Sequence, residues 1–167
     1  MRLRNTLLAL SLLALALPMS AQTYDWAMVG STGTPDPAAQ GWRYTGPTFE
    51  MAANRFTNIG LVSRYPVTNT YGSGVDISPA WTTLRLTYTD NSSLGSVVAK
   101  LYKVDKCNNT ETLLCTITSS DGSGVQCASC QFSSSDIDFA NNTYYVEGRL
   151  IRSSTSATEQ LHIVAIE

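Results

Sequence analysis

The sequence predicts an all-β protein: an antiparallel β-sandwich of about eight or nine strands with jelly-roll or Greek-key-like wiring. Three observations carry this. From Trp81 to Ile117, the apolar–threonine runs WTTLRLTYTD, VVAKLYKVDKC and LLCTI are separated by the polar turns NSSLGS and NNTET. In the first run Thr82, Leu84, Leu86 and Tyr88 share one face, and Trp81, Thr83, Arg85, Thr87 and Thr89 the other, which is the period of a half-buried strand. Beyond the N-terminal leader, no stretch of ten residues carries a convincing helical period. The expected arrangement of residues 81–117 is a three-stranded meander.

The N-terminus reads as a targeting element. Arg2 and Arg4 precede Thr6–Leu17, which is almost wholly Leu and Ala, and Pro18, Met19, Ser20 and Ala21 follow. That is the pattern of a secretory signal peptide cleaved after Ala21. Its apolar run falls short of the roughly 20 residues a membrane span needs. The expected organisation is residues 1–21 as signal peptide and 22–167 as a single β-sandwich domain, secreted to the extracellular space or periplasm. No membrane span is expected after signal removal.

Charge excludes one class of partner. Removing Arg2 and Arg4 from 11 basic residues leaves nine, against 13 acidic. No basic stripe marks a nucleic-acid surface. Charged residues are 14% of the chain, and Ser, Thr and Asn fill the outward positions instead. An uncharged polar surface of this kind suits an extracellular protein or glycan partner, or self-association.

Taken in order, Tyr24–Gly30 reads as a first strand. Residues 31–41 form a loop, because two prolines and two glycines forbid a regular element. Trp42–Tyr44 and Thr48–Ala52 follow, with a helical turn conceivable over 51–56. Asn54–Ser63 reads as a strand interrupted by Gly60, and Arg64–Pro79 as irregular. After the meander come strands at Val125–Phe132, Thr143–Arg152 and Glu159–Glu167. The last two are expected to pair as a hairpin, with Leu161, Ile163 and Ala165 on one side of the closing strand.

The order LRLTYTDNSS, VVAKLYKV, DFANNTYYVEGRLIR and LHIVAIE resembles that of small secreted bacterial all-β proteins of unknown function. The resemblance covers Trp81 to Glu167. It implies fold and extracellular location, and no catalytic residue.

The cysteines are Cys107, Cys115, Cys127 and Cys130. Export makes structural disulfides the expectation for all four, and four cysteines allow three pairings. Cys107 and Cys115 flank the turn NNTET, so a cross-hairpin bridge is geometrically reasonable, leaving Cys127 with Cys130. A zinc site and a redox Cys-x-x-Cys are the competing readings. The second lacks the βαβ setting it normally occupies.

The remaining chemistry is sparse. His162 is the single histidine, with no nucleophile elbow or metal-binding helix motif near it, and its expected role is structural. Asp136 and Asp138, with Asp121, are weak calcium candidates, since oxygen-rich loops suit that ion; otherwise no cofactor is expected. Trp42 and Tyr44 lie beside a Pro/Gly-rich loop. Tyr144 and Tyr145 must point to opposite sheet faces, exposing one of them. Trp42, Tyr44 and Tyr145 are therefore the candidate ligand-binding residues, competing with the usual fate of aromatics in a core. No catalytic residue is assigned. The expected function is a secreted non-enzymatic domain for cell-surface interaction or extracellular-matrix structure. The alternative is a carbohydrate-binding module, with or without the assistance of calcium.

Overall fold

The computed structural model describes residues 25–53, 57–69 and 78–167. The expected signal segment, and half of the stretch in which a helical turn was conceivable, lie outside these residues. Eleven strands are present among them: β1 (Trp26–Val29), β2 (Thr34–Pro35), β3 (Trp42–Thr45), β4 (Thr48–Met51), β5 (Thr57–Val67), β6 (Thr83–Asp90), β7 (Gly95–Asp105), β8 (Glu111–Thr118), β9 (Val125–Gln131), β10 (Asn142–Arg152) and β11 (Glu159–Ile166). They form two antiparallel sheets. The first runs β3-β4-β11-β6-β9, with β1 also paired to β11, and the second runs β2-β5-β10-β7-β8. Only β3–β4 and β7–β8 are sequence neighbours that pair as hairpins. Every other connection carries the chain from one sheet to the other.

That crossing pattern corrects two expectations. The meander is not one: β7 and β8 pair in the second sheet, while β6 lies between β11 and β9 in the first. Nor do β10 and β11 pair, since β10 sits between β5 and β7 and β11 beside β6. Alternation in a sequence reports which face a residue occupies, not which strand lies next to it.

The core lies between the sheets. Leu84, Leu86 and Tyr88 of β6 and Tyr144, Val146 and Leu150 of β10 are buried, as their alternation predicts. A fully buried Leu contributes about 2 kcal/mol by removal of apolar surface from water. Three local corrections follow from packing. Trp81, placed outward by parity, is 1% exposed; it precedes the first residue of β6 and meets the Phe139 ring edge-on. In β11 the register shifts between Leu161 and Ile163. Val164 and Ile166 therefore turn inward and Ile163 outward, as a bulge requires. Finally, β5 continues through Pro66 to Val67. At that point β5 pairs β10 on one side, while β2 covers only Ser63 and Arg64 on the other. A proline without an N–H is tolerated on such an uncovered edge.

The disulfide pairing also differs from the expected one. Cys115 bonds to Cys130, with Cα atoms 6.1 Å apart. Cys107 and Cys127 are exposed and free. The bridge joins β8, the last strand of one sheet, to β9, the last strand of the other. Cys107 sits in the β7–β8 turn and Cys127 on the outer face of β9, and neither faces the seam between the sheets.

Candidate functional site

The outer face of the second sheet carries an aromatic row. Pro66 of β5 lies opposite Tyr145 of β10, Tyr145 opposite Tyr102 of β7, and Tyr102 opposite Leu113 of β8. With strands about 4.8 Å apart, four neighbours in register span roughly 15 Å. The two tyrosine rings stack, with centroids 5.0 Å apart and planes inclined by 19°. Both are half-buried, while Leu113 is 49% exposed. The Tyr145 hydroxyl donates to the Glu111 carboxylate. Burial, and then Glu111 itself, push that phenol above its ordinary range, so it stays a neutral donor.

One step along the strands the row becomes ionic: Arg64, Glu147 and Lys100 are in register. Arg149 donates to Glu147 at 2.9 Å. Arg64 lies 3.8 Å from Glu147 and 3.3 Å from Asp36. The Ala38 backbone N–H and then Arg64 hold the Asp36 carboxyl below its usual value. A further step brings Val62 opposite Arg149. Here the loop after β2 folds back, with the Asp36 N–H donating to the Val62 carbonyl at 2.9 Å. A cleft of about 400 Å³ opens between them, lined by Asp36, Ala38, Gln40, Val62 and Arg149 among others. Gly60 has φ +89°, and a side chain there would collide with the Arg149 stem. The missing Cβ is what lets Arg149 lie across β5 into the cleft. From Tyr145 to Arg149 the face extends about 13 Å along β10.

This arrangement can hold a polar ligand that also has apolar faces. The rings and Leu113 offer apolar contact, the carboxylates of Glu111 and Glu147 accept hydrogen bonds, and Arg64, Lys100 and Arg149 donate them. Three cations face three anions (Asp36, Glu111, Glu147), so the face has no net charge to select a charged polymer.

The residues singled out in the sequence do not all meet here. Tyr145 is on this face, and its neighbour Tyr144 is buried, its hydroxyl donating to the Asp136 carbonyl at 2.8 Å. Trp42 and Tyr44 stand on β3 at the edge of the other sheet. Their rings are 4.9 Å apart, inclined by 51°, with Phe49 beneath them. Trp42 is 37% and Tyr44 36% exposed. The Tyr44 hydroxyl donates to the Gly33 carbonyl, and burial raises its pKa. Tyr102, Glu111 and Arg149 were not among the candidate site residues. The outward parity of Tyr102 was visible, but its stacking on Tyr145 depends on β7–β10 register.

Asp121 lies in the loop before β9 and Asp136 and Asp138 in the connection after it, so seven strand residues, roughly 20 Å, separate them. Asp136 faces Lys103 at 3.4 Å. Asp138 accepts from the Asn141 amide at 2.7 Å and the Ala140 N–H at 2.9 Å, and these two bonds, the first foremost, lower its pKa. Among the described residues no three His, Cys, Asp or Glu side chains converge on one point. His162 occupies the β11 bulge on the outer face of the first sheet. Its Nε2 lies 2.9 Å from the Thr89 hydroxyl and its Nδ1 3.3 Å from that of Thr48. Burial lowers its pKa, with Glu50 opposing.

No family model matches the chain, and no curated protein matches it. Solved structures do. The CBM36-1 domain of a multidomain xylanase from the hindgut metagenome of Trinervitermes trinervoides aligns with TM-score 0.53 and 9% identity, over 86% of this chain and 97% of that one. The C-terminal CBM6 of a marine laminarinase from Zobellia galactanivorans aligns with TM-score 0.53 and 11% identity, over 86% and 98%. Both are carbohydrate-binding modules of all-β architecture. The likeness is one of fold.

Proposed function

We propose that this chain is an exported, non-catalytic carbohydrate-binding module that holds a glycan against the outer face of its second sheet. The observation that carries the reading is the stacked Tyr102–Tyr145 pair in a row from Pro66 to Leu113, bordered by fixed donors and acceptors. Aromatic rings on an exposed, rigid sheet bind with little loss of side-chain freedom, and a small number of placed polar groups then orient the ligand. The fold shared with the CBM36-1 and CBM6 domains supports this reading over the expected matrix role, which would show as multimers or filaments without glycan affinity.

His162 has a structural part in this reading, its two ring nitrogens lying 3.3 and 2.9 Å from the Thr48 and Thr89 hydroxyls. Export rests on the leader sequence. Secreted protein is expected to begin at or near Gln22, which N-terminal sequencing reads directly.

The test is affinity electrophoresis and calorimetry of residues 22–167 with soluble xylan, laminarin and a broad glycan array. Wild type is expected to bind at least one neutral glycan, and Tyr102→Ala to bind it about tenfold or more weakly while melting as wild type does. A folded wild-type protein that binds no glycan on any platform would overturn the reading.

A further inference from the structure

We propose that Asp90, Glu159 and Arg152 form a proton-operated latch at one end of the sandwich, shut while the Glu159 carboxyl holds its proton and loosened when that proton leaves to water.

Two sheet-to-sheet crossings meet over this end, residues 91–94 between β6 and β7 and 153–158 between β10 and β11. They are tied together. The Thr158 N–H donates to the Asn91 side-chain oxygen at 2.8 Å, and the Ser153 N–H and hydroxyl donate to the Leu94 carbonyl at 2.8 and 2.7 Å. Directly beneath, Glu159 of β11 and Asp90 of β6 are register partners, each 1% exposed. Their situations differ. Asp90 accepts from the Ser119 hydroxyl and, at 3.4 Å, from the Ser92 N–H. Both Glu159 oxygens are buried, and among the described residues no other residue donates a hydrogen bond to them. The facing cation is Arg152 of β10, its Nε 3.8 Å away, and that guanidinium also donates to the carbonyls of Ala157 at 3.1 Å and Ala52 at 2.6 Å. Elsewhere around Glu159, β7 presents Gly95, where any Cβ would overlap the carboxyl, and Ser119, the residue after β8, holds Asp90. Arg43 and Glu50, of β3 and β4, line a pocket of about 150 Å³ bounded by Arg152, Thr155, Thr158 and Gln160.

An ionised carboxylate without a donor is disfavoured in such a place, so the shut state keeps the proton. Burial pushes the Glu159 carboxyl up to about 7, Arg152 pulls against it, and Asp90 adds to the rise. When the two crossings part, water enters and the group returns toward its ordinary 4.5. Opening therefore releases one proton between these values. The folded-state value is the raised one, so the latch is tightest below 4.5 and loosest above 7. Between them the opening equilibrium rises about tenfold per pH unit.

Hydrogen exchange of the full chain, corrected for the intrinsic rate, tests this. The amides of Asn91, Gly95, Ser153 and Thr158 are expected to lose protection from about pH 5 to about pH 7 with the tenfold-per-unit slope, while central β10 amides keep theirs. Glu159→Gln is expected to flatten the slope. Unchanged protection across that range, or the same slope in Glu159→Gln, would overturn the latch. Should the variant not fold, infrared spectra of the wild type decide. A buried protonated-carboxyl band present at pH 5 and lost through pH 7 supports the proposal, and its absence at pH 5 overturns it.

Discussion

Tyr102 and Tyr145 come from strands β7 and β10, 43 residues apart in the chain, and stack at 5.0 Å on the outer face of the second sheet. Glu111, from a third strand, receives the Tyr145 hydroxyl. This three-strand arrangement sets the first expectation. Tyr102→Ala should weaken glycan binding by about tenfold or more, the 1.4 kcal/mol scale at which truncation of a ring anchor is felt. Tyr145→Phe, which keeps the ring and loses the hydroxyl, should weaken it less. Calorimetry on the glycan that the array identifies reads both. Equal affinity in wild type and Tyr102→Ala would place the ligand elsewhere, with Trp42 and Tyr44 the next pair to substitute.

The cysteines give a second expectation. Cys115–Cys130 closes a separation of 15 residues, and a loop of that size corresponds to about 3 kcal/mol of stabilisation. The oxidised protein should label at Cys107 and Cys127 with a thiol reagent before reduction, and at all four positions after it. Cys115→Ala/Cys130→Ala should melt lower than wild type, while Cys107→Ser should not. A non-reducing peptide map that joins Cys107 to Cys115 would refute the pairing.

The third concerns the core. Leu86 is fully buried on β6, and Leu86→Ala should cost about 2–5 kcal/mol. Arg85, next along the strand, has its side chain 50% exposed and pairs with Glu167 at 2.8 Å. Removing an exposed pair of this kind should cost at most about 1 kcal/mol. Chemical denaturation separates the two, and a larger loss at Arg85 would mean the β6 register is wrong.

The fourth follows from His162. Burial disfavours its charged form, so the folded-state pKa lies below the ordinary 6.5. The unfolded chain takes up the proton first as pH falls. The contribution of the neutral ring is therefore full above 6.5 and is lost as pH falls below that value, the opposite direction to Glu159. His162→Gln, which cannot titrate, should flatten the melting-temperature profile on the acid side. An unchanged acid slope in the variant would assign that slope to other groups.

The sequence by itself determined the fold class and the face of most second-half residues. Period-two alternation is a local property, and the inward placement of Leu84, Leu86, Val146 and Leu150 needed nothing else. It also determined that Tyr144 and Tyr145 part to opposite faces. Partner choice was decided only in the tertiary structure. Whether β6 pairs β7 or crosses to lie beside β11 depends on how two sheets close over a shared core, and the turn residues Asn91–Leu94 suit either path. The disulfide followed from that choice, because Cys115 and Cys130 meet only once β8 and β9 become the facing edges of different sheets. The candidate site belongs to the same class. Tyr102, Tyr145, Glu111 and Arg149 are unremarkable singly, and they become a surface through strand register, which sums contacts far apart in the chain.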